Sequence, residues 1–185
     1  MTGSFIVYPL STLIEKRGKK VIQSYLESFN PYRNSDASHF LNEKAIMMEN
    51  RDLSRTYLAV EPSTNRILGF ISLGIKCLSI PEMNLIPDHM LKDMFIDTKT
   101  GVVQAFLLAQ LARSKDSPSG FGRQLISLAM SVFMQAKALV GCRIVRVDCQ
   151  DELIAYYQNN GFTQVSVNED HTLNQMLTYV APLKI

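Results

Sequence analysis

The run Leu107-Leu108-Ala109-Gln110-Leu111-Ala112-Arg113, then Ser117-Pro118-Ser119-Gly120-Phe121-Gly122, then an apolar helix pattern from Arg123, decides how this chain is read. It sets a strand, a glycine-bearing turn and a helix in series. The first turn of a helix leaves backbone N–H groups without partners and carries a partial positive charge, so this order builds a cradle for an anion. Gly120 and Gly122 let the main chain curl and approach a ligand where a Cβ would collide. Over residues 123–140, Leu125, Leu128, Ala129, Val132, Phe133 and Ala136 recur at helical spacing, with Arg123, Gln124, Gln135 and Lys137 toward solvent. Gly141 ends that helix, as glycine does at C-termini.

The next forty residues form a second unit of the same kind. Residues 142–149 alternate Ile144, Arg146 and Asp148 against Val145, Val147 and Cys149, the pattern of a half-buried strand. Then Asp151-Glu152-Leu153-Ile154-Ala155-Tyr156-Tyr157-Gln158-Asn159-Asn160-Gly161-Phe162 opens on acidic residues and closes on glycine, in keeping with the helix dipole and with C-terminal capping.

Strand, (Q/R)xxGx(G/A), long helix, strand, and a helix ending in a YxxxGF-like motif resembles the GNAT superfamily of acyl-CoA-dependent N-acetyltransferases. Ser117–Gly122 sits on the first motif and Tyr157-Gln158-Asn159-Asn160-Gly161-Phe162 on the second. The resemblance covers roughly residues 55–180. Ser117 stands where the family usually has glutamine or arginine, and Pro118 removes one backbone donor. The resemblance implies one α/β domain over residues 1–185, with a mixed, mostly antiparallel central sheet flanked by helices.

It also implies acetyl-CoA as cosubstrate. The diphosphate would lie on the amides of Ser119, Gly120, Phe121, Gly122 and Arg123, with Ser117 in the same motif. The pantetheine arm would pair with the main chain of Leu111, Ala112 and Arg113. Arg113, Lys115 and Arg123 are near enough in sequence to add positive charge. At the family's acid position stands Tyr157, whose phenol, with a reference pKa near 10, stays protonated at neutral pH and can protonate a departing thiolate. Tyr156 reads as core or groove lining. A general base is not marked. Asp148, Asp97 and Glu82 are candidates, and the default is proton loss to solvent.

Composition agrees with this class. A chain of 185 residues, 46% of them hydrophobic, has enough apolar content for one domain with a sizeable core. The net charge of +2 does not demand a nucleic acid, and Lys16-Arg17-Gly18-Lys19-Lys20 reads as a solvated helix face. Three cysteines without a CxxC pair favour a reduced, cytoplasmic setting, and three scattered histidines give no metal signal. No signal peptide or membrane-spanning run is read in the sequence.

Elsewhere the sequence predicts a strand over 5–10, one helix over 12–29, a loop over 30–35, a helix over 37–49, and paired strands over 55–60 and 67–80. Ile67, Leu68, Phe70 and Ile71 are apolar on both faces, which makes the second strand of that pair central. Residues 81–101 form a long connection, interrupted by Pro81 and Pro87, in which Met90, Leu91, Met94 and Phe95 share one side of a short helix. It reads as a lid, an acceptor-binding element, or both.

Phe40-Leu41-Asn42-Glu43-Lys44-Ala45, Ser54-Arg55-Thr56-Tyr57-Leu58-Ala59-Val60 and Leu68-Gly69-Phe70-Ile71-Ser72-Leu73 resemble, in order and spacing, the N-terminal half of GNAT toxins from bacterial toxin–antitoxin pairs. Those proteins acetylate the free amine of aminoacyl-tRNA. The expected activity is acetyl transfer to a primary amine of a small molecule or peptide. The alternatives are toxin-like acetylation of aminoacyl-tRNA and a non-catalytic module that binds CoA or a partner. Expected partners are acetyl-CoA and an amine acceptor, with aminoacyl-tRNA and a homodimer as further candidates. Neither a membrane nor a metal is expected.

Overall fold

A computed structural model describes residues 4–33, 35–80, 86, 88–94, 99–168 and 170–181. One seven-stranded sheet has the order β1-β2-β3-β4-β5-β7-β6, where β1 is Ile6–Pro9, β2 Arg55–Val60, β3 Ile67–Ser79, β4 Val102–Arg113, β5 Ile144–Cys149, β6 Thr163–Val167 and β7 Asn174–Tyr179. The registers of β1 with β2, β2 with β3, β5 with β7 and β6 with β7 are antiparallel, and β4 with β5 is parallel. A parallel pair needs a long crossover, here the twenty-residue helix α6 (Phe121–Val140). The α/β class with a mixed, mostly antiparallel sheet is the architecture expected.

The chain forms two compact units: Met1–Gly74 with Ala109–Ile126, and Ile75–Leu108 with Ser127–Ile185. In the first, α1 (Leu10–Arg17), α2 (Lys19–Glu27), α3 (Ser35–His39), a π-helical turn (Phe40–Lys44) and α4 (Ala45–Asn50) precede the β2–β3 hairpin. Its core gathers Leu10, Ile22, Leu26, Phe29, Phe40, Leu58 and Phe70. Phe70 is fully buried, edge-on to Phe29 at 5.4 Å and stacked on Phe40 at 6.2 Å. Burying such a ring contributes about 1.5–3 kcal/mol.

Two expectations about these helices change. The single helix over 12–29 is two, because Gly18 takes φ +80°, closes α1 through its N–H on the Ile14 carbonyl, and restarts the chain as α2. Helical periodicity runs through a one-residue break, so spacing alone did not reveal it. The helix over 37–49 contains the π-helical turn, whose wider winding buries the adjacent Phe40 and Leu41 together.

Glu49, at the end of α4, is a buried carboxylate. Its Oε2 accepts the Thr56 N–H at 2.8 Å, and Arg55 Nη1 lies 3.4 Å from Oε1. Burial lifts its carboxyl above the ordinary value, opposed by Thr56 and Arg55. The folded chain therefore holds this proton more tightly than the unfolded chain does. The sign follows: ionising Glu49 subtracts stability as pH rises from the ordinary carboxylate value through the raised one. In Glu49→Gln that subtraction is absent, so urea midpoints should shift in the variant's favour relative to the parent as pH rises through the window. A midpoint difference independent of pH would reject this account.

In the second unit, α5 (Asp88–Asp93), β5, a 3-10 turn (Asp151–Leu153), α7 (Ile154–Gln158) and the β6–β7 hairpin surround a core of Leu78, Met90, Met94, Val103, Ile144, Val165 and Leu177. Met90 and Met94 are buried and Leu91 packs against the cluster, as the pattern predicted. Pro81, Pro87 and Phe95 lie outside the described residues. Two strands not anticipated, β6 and β7, complete the sheet. The half-buried expectation for β5 is corrected. Ile144, Val145, Arg146, Val147 and Cys149 are all buried, because β5 is an interior strand with β4 on one side and β7 on the other.

Candidate active site

The turn after β4 is built by hydrogen bonds of its own. Ser114 N–H donates to the Leu68 carbonyl at 2.8 Å. The Ser114 carbonyl accepts the Ser117 N–H at 3.2 Å and the Ser117 hydroxyl at 2.7 Å. Arg113 Nη1 reaches the Ser117 hydroxyl oxygen at 3.4 Å, and its guanidinium carbon lies 3.6 Å from the centroid of the Tyr32 ring. Tyr32 N–H in turn donates to the Arg113 carbonyl at 2.9 Å. Ser117 and Arg113, expected to meet the ligand, thus also hold the turn in shape.

Helix α6 begins at Phe121, two residues earlier than its apolar pattern suggested. Phe121 N–H donates to the Pro118 carbonyl at 3.2 Å and Arg123 N–H to the Gly120 carbonyl at 3.0 Å. Among the described residues, the N–H groups of Ser119, Gly120 and Gly122 have no such backbone partner. They are the donors the cradle offers to an anion. Gly120 takes φ +78° with no atom within 4 Å of a Cβ position, so glycine serves conformation there rather than space. The Phe121 side chain is fully buried, edge-on to Phe5 at 5.2 Å, and only its main chain could face a ligand.

Sequence reasoning missed the residue beneath this turn. A Cβ on Gly69 would lie 2.8 Å from the Ala112 carbonyl oxygen, 2.8 Å from Leu125 Cδ1 and 3.2 Å from Phe121 Cε1. Only glycine lets β3 lie this close to β4 and to the first turns of α6. An isolated glycine inside a strand pattern was the available signal. The β4–β5 register spans Phe106↔Val145 and Leu107↔Arg146, and Leu111, Ala112 and Arg113 lie beyond it.

In the second unit, Tyr157 on α7 is buried, with Tyr156 edge-on at 5.2 Å and Phe162 at 5.4 Å. The Tyr157 carbonyl accepts the N–H groups of Asn160 and Phe162, which closes the helix at the glycine end of the motif. Among the described residues, none accepts a hydrogen bond from the Tyr157 hydroxyl. Burial first, then Tyr156 and Cys149, hold this phenol well above its ordinary range, so it stays protonated.

Asp148 is engaged elsewhere. Arg146 Nε and Nη2 donate to its two oxygens at 2.7 and 2.8 Å, and Lys76 Nζ lies 3.6 Å away. Both oxygens of this carboxylate are thus held by Arg146, with Lys76 beside them. The other base candidates, Glu82 and Asp97, lie outside the described residues. Among the described residues there is no group of three or more His, Cys, Asp or Glu side chains that could hold a metal, and no helix long and apolar enough to cross a membrane.

No family model and no curated protein matches the chain. Solved structures do. A tyrosine-to-phenylalanine mutant of KacT aligns over 95% of this chain and 95% of its own, with a TM-score of 0.73 and 20% identity. The chain has the GNAT fold. AtaT complexed with acetyl-methionyl-tRNAfMet covers 92% of this chain and 94% of its own, with a TM-score of 0.71 and 16% identity. AtaTR bound with acetyl-CoA covers 95% and 93%, with a TM-score of 0.67 and 18% identity. At these identities the likeness establishes the GNAT fold alone.

Proposed function

We propose that the protein is an acetyl-CoA-dependent N-acetyltransferase acting on the α-amine of an aminoacyl-tRNA. The residues present fit the cosubstrate. The N–H groups of Ser119, Gly120 and Gly122 supply donors for diphosphate oxygens, and the main chain of Leu111 and Ala112 lies beyond the β4–β5 register, while the Arg113 carbonyl is already taken by the Tyr32 N–H. The bound thioester supplies the activated acetyl group. In the transfer, the amine lone pair forms the new C–N bond, the C–S bond breaks, Tyr157 gives its proton to the leaving thiolate and regains one from solvent, and the nitrogen loses one to solvent.

The observation that carries the acceptor reading is the likeness, over more than nine-tenths of both chains, to AtaT in complex with acetyl-methionyl-tRNAfMet. Lys16, Arg17, Lys19 and Lys20 add support. They are exposed at the α1–α2 corner and have no ion-pair partner among the described residues. Lys19 and Lys20 even open α2, whose first turn carries no acid, against the preference of a helix N-terminus. A polyanion would relieve that repulsion.

The test is incubation with acetyl-CoA and a pool of charged tRNA, followed by release and mass analysis of the amino acids. N-acetylated amino acid should form, and tRNA binding should weaken steeply with salt as phosphate counterions are released. Acetylation of free amines alone, with little salt dependence, would instead establish the small-amine reading that the modest net charge favours.

A further inference from the structure

Residues 30–33, which follow α2, are stitched to the turn that leads into the cradle, and both belong to the first unit. Pro31 and Ser114 form an antiparallel bridge. On either side of it, Tyr32 N–H donates to the Arg113 carbonyl at 2.9 Å and Lys115 N–H to the Asn30 carbonyl at 3.0 Å. Tyr32 stands opposite Arg113 across that bridge, where paired side chains share a face. The Arg113 guanidinium carbon lies 3.6 Å from the centroid of the Tyr32 ring, and that of Arg33 lies 5.1 Å from it. One ring carries two cations.

These charges are not neutralised within the unit. Among the described residues, none of Arg33, Arg113 and Lys115 has a carboxylate partner. The acid next in sequence, Asp116, lies 3.9 Å from Arg66, which also binds Glu61 at 3.0 Å. Like charges gathered on one ring repel each other, and an anion between them removes that repulsion. Arg33 and Lys115 are exposed and Tyr32 is 42% exposed, so a solute can reach the patch. A guanidinium fork takes two oxygens of one phosphate, which makes phosphate the best match among anions.

Position selects the phosphate. Arg113 Nη1 reaches the Ser117 hydroxyl oxygen at 3.4 Å, two residues before the first free amide of the cradle at Ser119. The patch and the amides of Ser119, Gly120 and Gly122 lie along one turn. In CoA a single ribose separates the diphosphate, on its 5′ oxygen, from a phosphate monoester on its 3′ oxygen. Such a monoester carries about −1.5 to −2 charge at pH 7 and three acceptor oxygens. A CoA seated by its diphosphate brings this second anion within a sugar's width of the cradle.

We infer that Arg33, Arg113 and Lys115, gathered on and beside the Tyr32 ring, form a subsite for the 3′-phosphate of CoA, with Tyr32 as its positioning residue. The subsite makes the protein select thioesters of CoA over those of 3′-dephospho-CoA. The inference rests on the acetyl-CoA reading of the cradle.

Calorimetry on the full chain with CoA and with 3′-dephospho-CoA tests it without turnover. CoA should bind about tenfold more tightly, the worth of one charge-assisted hydrogen bond. Replacing the two exposed cations together, Arg33→Gln with Lys115→Gln, should bring the affinities most of the way together by weakening CoA alone. Arg113 is left in place because it also holds Ser117. Tyr32→Phe should keep the parent's ratio. Tyr32→Leu, which retains the main-chain bonds but not the ring, should lose most of it.

Equal affinities of the parent for the two nucleotides would overturn the subsite and leave the cradle standing. Binding of neither would sink the acetyl-CoA reading and the subsite with it. A double variant that keeps the parent's ratio overturns the subsite, and one that keeps it while losing tRNA binding assigns the patch to RNA phosphates instead.

Discussion

Tyr157→Phe is expected to lower turnover by about 10²–10⁴, the usual worth of a positioned general acid, with acetyl-CoA affinity and thermal stability nearly unchanged. Phenylalanine keeps the ring contacts with Tyr156 and Phe162 at 5.2 and 5.4 Å. The hydroxyl has no acceptor among the described residues, so removing it orphans no described partner. The effect should therefore appear in the chemical step alone. Burial keeps the phenol protonated far above neutrality, so its own titration should not produce an alkaline limb in the rate profile. Single-turnover measurement under chemistry-limited conditions decides the matter, and an unchanged rate would assign Tyr157 to packing beneath the sheet.

Gly69→Val should damage the cradle without touching any ligand. The first added carbon would already sit 2.8 Å from the Ala112 carbonyl oxygen, a distance real side chains essentially never adopt, and that oxygen belongs to backbone that cannot rotate away. Overpacking of this kind costs about 1–3 kcal/mol, occasionally more, and each kcal/mol lowers Tm by roughly 2–4 °C in a chain of this size. Whatever strain the fold absorbs moves Ala112, Phe121 and Leu125, so surviving folded protein should bind acetyl-CoA weakly by calorimetry. Gly18→Ala is the control. Unlike Gly69 it carries a positive φ, and nothing lies within 4 Å of its Cβ position. It should cost a little stability and leave acetyl-CoA affinity alone. Equal affinity in parent and Gly69→Val would show that β3 does not shape the cradle.

Local chemistry wrote much of this protein into its sequence. Glycine and proline punctuation, the 3.6-residue spacing of Leu125, Ala129 and Phe133, and the glycine that closes the Tyr157 helix each act within a few residues. That is why α6, the turn before it and the β2–β3 hairpin were legible. The π-helical turn and the break at Gly18 were not, because apolar spacing continues through both. Alternation marked β5 as a strand but misjudged its burial, since whether Arg146 faces water depends on which strands flank it. The pairing of Arg146 with Asp148, the carbonyl of Ala112 over Gly69, and the guanidinium of Arg113 over the Tyr32 ring join residues that no local rule connects, or that a local rule reads as solvated. Sequence alone determined which elements form and in what order. Only the tertiary structure decided which polar groups are spent on one another and which remain for a ligand, because hydrogen-bond partners are set by distance in space.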